Sequence, residues 1–198
     1  MISAIILAAG ESKRMGKNKF LLPWGKKKML AQTLEVYLAA PVAETILVLG
    51  YEADRIMAEI SPLPPKTVIN PSYKEGLSSS IRCGLLAVHQ ETKGILIALG
   101  DQPGIDRKVV NALLSAFQKS FPRQNIFVPT WAGRRGHPVI LSRKFFGDIQ
   151  KLKGDVGARE ILRRNEEEIF EVQVETEAIL WDIDTREDYL RYRPREGN

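Results

Sequence analysis

Residues 2–16 read ISAIILAAGESKRMG, an apolar run that passes directly into a loop of small and basic residues. The run, Ile2–Ala8, is short and rich in isoleucine, which is typical of a β-strand buried on both faces of a parallel sheet. The loop begins at Gly10 and offers backbone N–H groups, a hydroxyl and two basic side chains. These groups, placed at the end of a buried strand, have the chemistry of a phosphate-binding cradle.

Strand-like and helix-like stretches alternate along the rest of the chain. Short apolar runs predict strands at residues 44–49, 67–69, 94–99, 126–129 and 138–141. Helical spacing predicts helices at 29–40, 52–60, 77–89, 107–120, 143–150 and 158–164, with a turn at 62–65 and N-caps at Asp106 and Ser142. Residues 169–174 alternate like an antiparallel or edge strand, and residues 185–188 form a capping-box pattern for a last helix.

This alternation predicts an α/β protein. We expect a three-layer αβα sandwich, in which helices cover both faces of a Rossmann-like, mostly parallel sheet with a small antiparallel part. A length of 198 residues without a linker-like segment predicts a single domain over residues 1–198. Ligands of such sheets bind beyond the carboxyl ends of the strands, so the residues after Ala8, Leu49, Ile69 and Leu99 are the first candidates for a site.

The composition excludes several classes of protein. With 44% apolar and 27% charged residues, the chain is neither disordered nor collagen-like. Its apolar runs are too short to cross a bilayer, and its first residues lack a secretory pattern, which predicts a cytoplasmic protein without a membrane partner. The single cysteine, Cys83, excludes an internal disulfide and a cysteine-rich metal site.

The charge favours an anionic partner. The chain carries 29 basic and 24 acidic residues, for a formal net charge of +5. Basic residues concentrate at positions 13–28, at Arg134 and Arg135, and in a C-terminal group of Arg186, Arg191, Arg193 and Arg195. Basic stripes with interleaved aromatic residues are lacking, so nucleic acid is not the expected partner.

The loop after the first strand fits neither of two common phosphate-binding fingerprints. Five residues separate Gly10 from Gly16 where the P-loop has four, and Lys17 is followed by Asn18. The dinucleotide-binding fingerprint needs a glycine at the position of Ser12. The loop is therefore a cradle of another kind, or a basic surface loop with turn glycines.

Six segments, in order, carry a resemblance to a known family. They are LAAGxSxRMGxxK (7–19), NP (70–71) with EGLSSSIR (75–82), GDQP (100–103), RRGHP (134–138), GDxGAR (154–159) and DIDTxED (182–188). Together they resemble the molybdenum cofactor cytidylyltransferases, which are MobA-like NTP transferases that use a nucleoside triphosphate and release pyrophosphate. The resemblance covers nearly the whole chain.

The resemblance implies a nucleotide site and catalytic cations. The nucleotide-binding positions it implies are Leu7, Ala8, Ala9, Gly10, Ser12, Arg14, Lys19, Gly76, Ser79 and Ser80. Arg14, Lys19 and Asp101 are the implied catalytic residues, since cations beside the phosphates stabilise the departing pyrophosphate. Alanine at position 9 accompanies cytidine use in this family. For the serines of the helix start, ordinary capping is the competing interpretation.

The resemblance also implies a metal site and an acceptor site. Asp101 and Asp184, with Asp182 as an alternative, would hold Mg²⁺ or Mn²⁺. The implied acceptor-binding residues are Arg134, Gly136, His137, Pro138 and Arg159. His137 has an orienting or structural role, because an acceptor phosphate is already anionic and needs no general base.

The implied reaction is attack by an acceptor phosphate on the α-phosphorus of CTP. The acceptor would be the molybdenum-molybdopterin cofactor, and the product its cytosine dinucleotide form, which a molybdenum hydroxylase would receive. Two alternatives remain open. One is a transferase of the same fold with another base or acceptor, such as GTP or a sugar or alcohol phosphate. The other is a non-catalytic protein that handles the cofactor.

Overall fold

An eight-stranded mixed sheet forms the centre of the molecule. The computed structural model describes residues 1–60 and 65–194. The strands are β1 (Ile2–Ala8), β2 (Pro23–Trp24), β3 (Lys27–Lys28), β4 (Glu44–Leu49), β5 (Lys66–Ile69), β6 (Gly94–Leu99), β7 (Ile126–Trp131), β8 (Arg134–Arg135), β9 (Val139–Ser142) and β10 (Ile169–Gln173). The sheet order is β10-β7-β9-β6-β1-β4-β5, with β8 paired to β7, while β2 and β3 form a separate hairpin.

The central strand is the apolar run at the start of the chain. Strand β1 lies between β4 and β6 and is parallel to both. All seven of its residues are buried, as expected for a strand that has helices on each side. The loop that follows β1 therefore starts at the middle of the carboxyl edge of the sheet.

The antiparallel part of the sheet is small, as predicted. Strand β9 runs antiparallel to both of its neighbours, β6 and β7. Strand β10 is an edge strand, but it pairs with β7 in parallel. Its alternating pattern reflects one exposed face at an edge, and it does not report strand direction.

Helices cover both faces of the sheet, which confirms the expected sandwich. The helices are α1 (Met29–Leu38), α2 (Ala53–Ile60), α3 (Leu77–Leu86), α4 (Arg107–Ser120), α5 (Phe146–Lys151), α6 (Arg159–Arg164) and α7 (Arg186–Tyr192). Helices α1, α2 and α4 contribute to one apolar cluster, and α3, α5 and α6 contribute to a second cluster on the other face. None of the helices in residues 1–60 and 65–194 has the length and apolar character needed to cross a membrane.

Two of the expected helix starts are confirmed and one is wrong. Asp106 caps α4 by accepting a hydrogen bond from the backbone N–H of Val109, and Thr185 forms the capping box of α7. Ser142 does not cap a helix, because its hydroxyl donates to the side chain of Asn125 and a short 3-10 turn follows it. Residues 62–64 of the expected turn and Arg195 of the C-terminal basic group lie outside the described residues.

Helix α7 is fixed against the β2–β3 hairpin. Tyr189 donates a hydrogen bond from its hydroxyl to the carbonyl of Pro23 at 2.6 Å, and its ring contacts that of Trp24. Ile183, just before the helix, is fully buried in the same apolar cluster, and its backbone N–H reaches the carbonyl of Asp101. The C-terminal part of the chain is thereby held beside the end of β6.

Candidate active site

A large cleft opens at the carboxyl ends of the central strands. Its volume is about 1010 Å³, and its walls include Leu7 of β1, Leu99 of β6 and Val128 of β7. The loop after β1, the start of α3 and helix α6 complete the walls. This is where ligands bind in open α/β sheets, and the volume suits two ligands better than one.

The loop after β1 is folded back on itself by its own side chains. Ser12 adopts a left-handed conformation with φ of 54°, and its hydroxyl accepts a hydrogen bond from the backbone N–H of Lys19 at 3.2 Å. Asn18 caps the short turn Lys19–Leu21 and also donates to Glu52. These bonds fix the direction in which Lys19 leaves the loop.

Lys19 reaches the end of β6 and connects two carboxylates. Its Nζ atom forms ion pairs with Asp101 and, at 2.8 Å, with Oδ1 of Asp184. The second oxygen of Asp184 accepts a hydrogen bond from Arg14 at 2.7 Å. Burial by itself would lower the pKa of Lys19, but the two carboxylates outweigh it and the pKa is raised. Lys19 is therefore a permanent cation.

Asp182 occupies a different environment from the other two aspartates. Its Oδ1 accepts a hydrogen bond from Nε2 of Gln102 at 2.8 Å. Burial, reinforced by the negative charge of Asp101, raises the pKa of Asp182. The carboxylate of Asp182 is therefore engaged by Gln102, whereas Asp101 and Asp184 converge on Lys19, and this geometry favours Asp101 with Asp184 as the metal pair.

The chemistry of this donor set fits a hard divalent cation. Mg²⁺ and Mn²⁺ take oxygen ligands and are held in phosphoryl-transfer sites by one or two carboxylates plus the substrate phosphates. Asp101 and Asp184 already converge on one cation, the ammonium of Lys19. Within residues 1–60 and 65–194, no group of three or more His, Cys, Asp or Glu side chains is arranged to hold a metal, so the rest of the coordination sphere would come from substrate and water.

The serines at the start of α3 point into the protein and not into the cleft. The amide of Asn70 donates to the hydroxyls of Ser79 and Ser80 at 2.9 and 3.0 Å, and the hydroxyl of Ser79 bonds to backbone carbonyls. Gly76, by contrast, lines the cleft with φ of 101°, and a Cβ there would lie 2.7 Å from the carbonyl oxygen of Gly154. This part of the predicted nucleotide site therefore offers backbone groups, and its hydroxyls are already used.

The other predicted nucleotide-binding positions also divide into residues that line the cleft and residues that do not. Leu7, Gly10, Ser12, Arg14 and Lys19 line the cleft. The cleft lining does not include Ala8 or Ala9 among the described residues. The carbonyl of Ala9 instead accepts a hydrogen bond from the backbone N–H of Tyr51.

The predicted acceptor residues are brought together only in part. Gly136, His137 and Arg159 line the cleft, whereas Arg134 and Pro138 are not part of its wall as described. Arg135 lines the cleft in place of its neighbour and forms ion pairs of 2.8 Å with Glu166 and Glu171. The side that a residue faces alternates along a strand, so adjacent arginines of β8 cannot both face the cleft.

Burial makes the imidazole of His137 harder to protonate. It lowers the pKa of His137, against the negative charge of Asp101, and the positive charge of Arg159 acts in the same direction as burial. Its Nδ1 atom is shielded from water and has no hydrogen-bond partner among the residues that the structure describes. These properties suit an orienting residue better than a charged anion-binding one.

Several charged residues of the cleft wall were not predicted as site residues from the sequence. Among them are Lys74, Asp155 and Arg163. Asp155 lies within one of the segments that carry the family resemblance, and it accepts a hydrogen bond from the backbone N–H of Leu77 at the start of α3. That segment could have pointed to it. Lys74 and Arg163 carry no pattern that separates them from other surface cations.

The fold and the site together define a nucleotidyltransferase: a cradle after the first strand, cations, and a carboxylate pair at the end of the sheet. The chain belongs to the family of MobA-like NTP transferase domains, whose model matches residues 4–169. The family places the protein among enzymes that transfer a nucleotide from a nucleoside triphosphate.

Three similar proteins illustrate the range of this family. Nicotine blue oxidoreductase of Paenarthrobacter nicotinovorans is 30% identical to this chain, covering 96% of it and 95% of that protein. Molybdenum cofactor cytidylyltransferase of Escherichia coli strain K12 is 28% identical, covering 98% and 96%. The crystal structure of Rv0371C in complex with manganese, from Mycobacterium tuberculosis H37Rv, superposes with a TM-score of 0.81 at 31% identity and covers 96% of each chain.

Proposed function

We propose that this protein transfers CMP from CTP to the terminal phosphate of the molybdenum-molybdopterin cofactor and releases pyrophosphate. The observation that carries the proposal is the convergence of Lys19, Asp101 and Asp184 in a cleft whose lining also includes the cations Arg135, Arg159 and Arg163. The similarity to a molybdenum cofactor cytidylyltransferase supports CTP as donor and this cofactor as acceptor. The product would pass to a molybdenum hydroxylase in the cytoplasm.

The loop after β1 binds the triphosphate in this proposal. Backbone N–H groups near Gly10 and the side chains of Arg14 and Lys19 surround the phosphates. Their positive charge stabilises the pyrophosphate as it leaves. Asp101 and Asp184 hold Mg²⁺ or Mn²⁺, which supplies further charge neutralisation at the phosphates. Support for a divalent metal comes from the manganese complex of a similar protein.

The acceptor lies beside the part of the cleft wall that Arg135 and Arg159 form. Its terminal phosphate is already ionised, so the reaction needs positioning and charge neutralisation and does not need a general base. The lowered pKa of His137 agrees with this proposal, because an uncharged imidazole can orient a polar ring of the acceptor without competing with the arginines for its phosphate.

An oxidoreductase is the second candidate, because one of the most similar proteins carries that name. An oxidoreductase of this fold would need an electron donor such as a nicotinamide cofactor. The loop after β1 has Ser12 where the dinucleotide-binding fingerprint has a glycine, and it therefore favours the transferase.

The decisive experiment measures pyrophosphate release with each nucleoside triphosphate, Mg²⁺ and molybdenum cofactor as acceptor. We expect turnover with CTP and formation of the cytosine dinucleotide. Turnover with GTP only would show that the donor is GTP and not CTP. Turnover with a sugar phosphate only would show that the acceptor is not the molybdenum cofactor. Oxidation of NADH or NADPH by the same preparation, without pyrophosphate release, would favour the oxidoreductase. Binding of the cofactor with neither activity would indicate a cofactor-handling protein.

Replacing Asp101 tests the catalytic site directly. We expect Asp101→Ala to lower turnover by at least about 100-fold, because it removes a metal ligand and one ion-pair partner of Lys19. Pyrophosphate release measures the loss, and circular dichroism establishes that the variant is folded. The exposed carboxylate of Asp148 on α5 provides the control, since Asp148→Ala should retain full activity. Near-normal turnover of Asp101→Ala would remove this residue from the active site.

A further inference from the structure

One ammonium group holds the two candidate metal ligands. Lys19 Nζ pairs with both Asp101 and Asp184, and the side chains of Lys19 and Asp101 are only 9% and 14% exposed. Arg14 takes the second oxygen of Asp184. Both oxygens of Asp184 and one oxygen of Asp101 are therefore already paired with cations of the protein itself.

The cleft as a whole has no excess of positive charge. Within residues 1–60 and 65–194, seven basic and seven acidic side chains line it. Lys13, Lys19 and Arg135 are each within ion-pair distance of a carboxylate in the lining. A triphosphate brings several negative charges, which this balanced cleft can neutralise only if some of its cations leave their carboxylates.

We propose that Lys19 competes with the divalent metal for Asp101 and Asp184, and that metal binding releases Lys19 to the triphosphate. The inference rests on the proposed function, which supplies the nucleoside triphosphate as ligand. It adds the order in which Lys19 pairs first with the carboxylates and then with the phosphates. Lys19 then has two partners in turn: the carboxylates in the free protein, and phosphate oxygens in the loaded site. Arg14 loses its partner in the same exchange.

Electrostatic repulsion makes the two cations compete at the oxygens that Lys19 occupies. An ammonium and a divalent metal within a few ångströms of each other repel strongly in a partly shielded site. The four-carbon stem of lysine allows its head to swing while the backbone stays in place, here held by Ser12. By linkage, a triphosphate that binds Lys19 also strengthens metal binding, so metal and nucleotide bind with positive cooperativity.

The first test is the affinity for Mn²⁺ alone, measured by electron paramagnetic resonance without nucleotide or acceptor. We expect Lys19→Met to bind Mn²⁺ about tenfold more tightly than the unaltered protein, because the competing charge is gone. Lys13→Met is the matched control: it removes the same charge from the same loop, but Lys13 is 80% exposed and pairs with Glu11. Its affinity for Mn²⁺ should be unchanged.

A third variant establishes where the metal binds. Adding Asp184→Asn to Lys19→Met should abolish the gain in affinity, because it removes one of the two carboxylates. Unchanged or weaker Mn²⁺ binding by Lys19→Met would overturn the proposal, as would a gain that survives the loss of Asp184.

The second test uses the unaltered protein and does not depend on the folding of a variant. An amine-reactive reagent labels lysines, and mass spectrometry reports the labelling of Lys19 and Lys13 with and without Mn²⁺. We expect Mn²⁺ to increase the labelling of Lys19 several-fold and to leave that of Lys13 unchanged. Protection of Lys19 that persists at saturating Mn²⁺ contradicts the exchange. Neither test contains CTP or an acceptor, so failure of the proposed transfer reaction would leave both results interpretable.

Discussion

The lysines of the first loop differ in environment and not in type. Lys13 projects into solvent beside Glu11, whereas Lys19 is nearly buried between two carboxylates that follow it in sequence by more than 80 residues. A basic loop after a strand, together with the resemblance to a family, was enough to select Lys19 from the sequence. The ion pairs were not predictable, because they depend on how the end of β6 and the segment before α7 approach the loop.

A single glycine shows that a motif residue can have a packing role. Gly136 lies within the RRGHP segment, and an added Cβ would be 2.2 Å from the carbonyl oxygen of Ile179. That oxygen also accepts a hydrogen bond from the backbone N–H of His137. We expect Gly136→Ala to lower the free energy of unfolding by about 1–3 kcal/mol, because backbone atoms must move apart. Urea denaturation measures the change.

Gly147 provides the control for that substitution. It lies in α5 with nothing within 4 Å of an added Cβ. Gly147→Ala should raise the free energy of unfolding by about 0.5–1 kcal/mol, because alanine restricts the unfolded chain and favours the helix. Equal stability of the two variants would show that Gly136 is not required for packing. Its proposed role would then be limited to binding the acceptor.

At the level of elements, the sequence predicted which helices and strands exist better than it predicted where each one ends or in which direction a strand pairs. The predicted bounds of β1, β4, β6 and α4 agree with the structure, because each strand is a continuous apolar run, α4 has a strong helical periodicity, and each element has a clear stop signal. Helices α1 and α3 end earlier than predicted, at Leu38 and Leu86, although polar and apolar residues continue at suitable spacing. The pairing direction of β10 was not predictable, since it depends on which strand the chain returns to.

The start of α7 positions Asp184, one of the two proposed metal ligands. The carboxylate of Asp188 accepts hydrogen bonds from the backbone N–H groups of Asp184 and Thr185, and Thr185 caps the helix in return. Burial by itself would raise the pKa of Asp188, but these bonds outweigh it and hold the pKa below its ordinary value of 3.8. The capping box therefore contributes stability at neutral pH, and the contribution is lost as the pH falls through this lowered pKa.

Removing the cap should affect both stability and metal binding. We expect Thr185→Ala to lower the free energy of unfolding by about 1 kcal/mol and to weaken Mn²⁺ binding, because Asp184 is no longer fixed toward Asp101. Thr176→Ala is the matched control, since Thr176 caps the turn Glu177–Leu180 through a hydrogen bond of 3.2 Å from Ala178. It should lower stability without changing the affinity for Mn²⁺. Equal Mn²⁺ affinities in the two variants would show that α7 does not position the ligand.

At the level of the whole molecule, the net charge of +5 does not lie in the cleft. Among the residues that the structure describes, the cleft lining is balanced, so the excess of basic residues lies outside it. The basic residues that the sequence places in the loop after β1 are present there, and Lys13, Arg14 and Lys19 line the cleft. The loop does carry cations, but carboxylates from distant parts of the chain fold against them. What binds anions is therefore the local arrangement of charge and not its total.

Two pairs of arginines separate local charge from total charge. Arg159 and Arg163 line the cleft, whereas Arg191 and Arg193 are exposed on α7 and the residue that follows it. Replacing either pair with glutamine lowers the formal net charge from +5 to +3. We expect replacement of the cleft pair to raise the KM for the phosphorylated acceptor at least about tenfold, because each lost hydrogen bond to a charged group contributes about 1.5–3 kcal/mol. Replacing the α7 pair should leave that KM unchanged at physiological salt, because these side chains are exposed, do not line the cleft and are screened by salt. Steady-state pyrophosphate release at varied acceptor concentration measures the KM of both variants. Equal increases in KM would mean that the overall electric field of the protein, and not the cleft wall, attracts the acceptor.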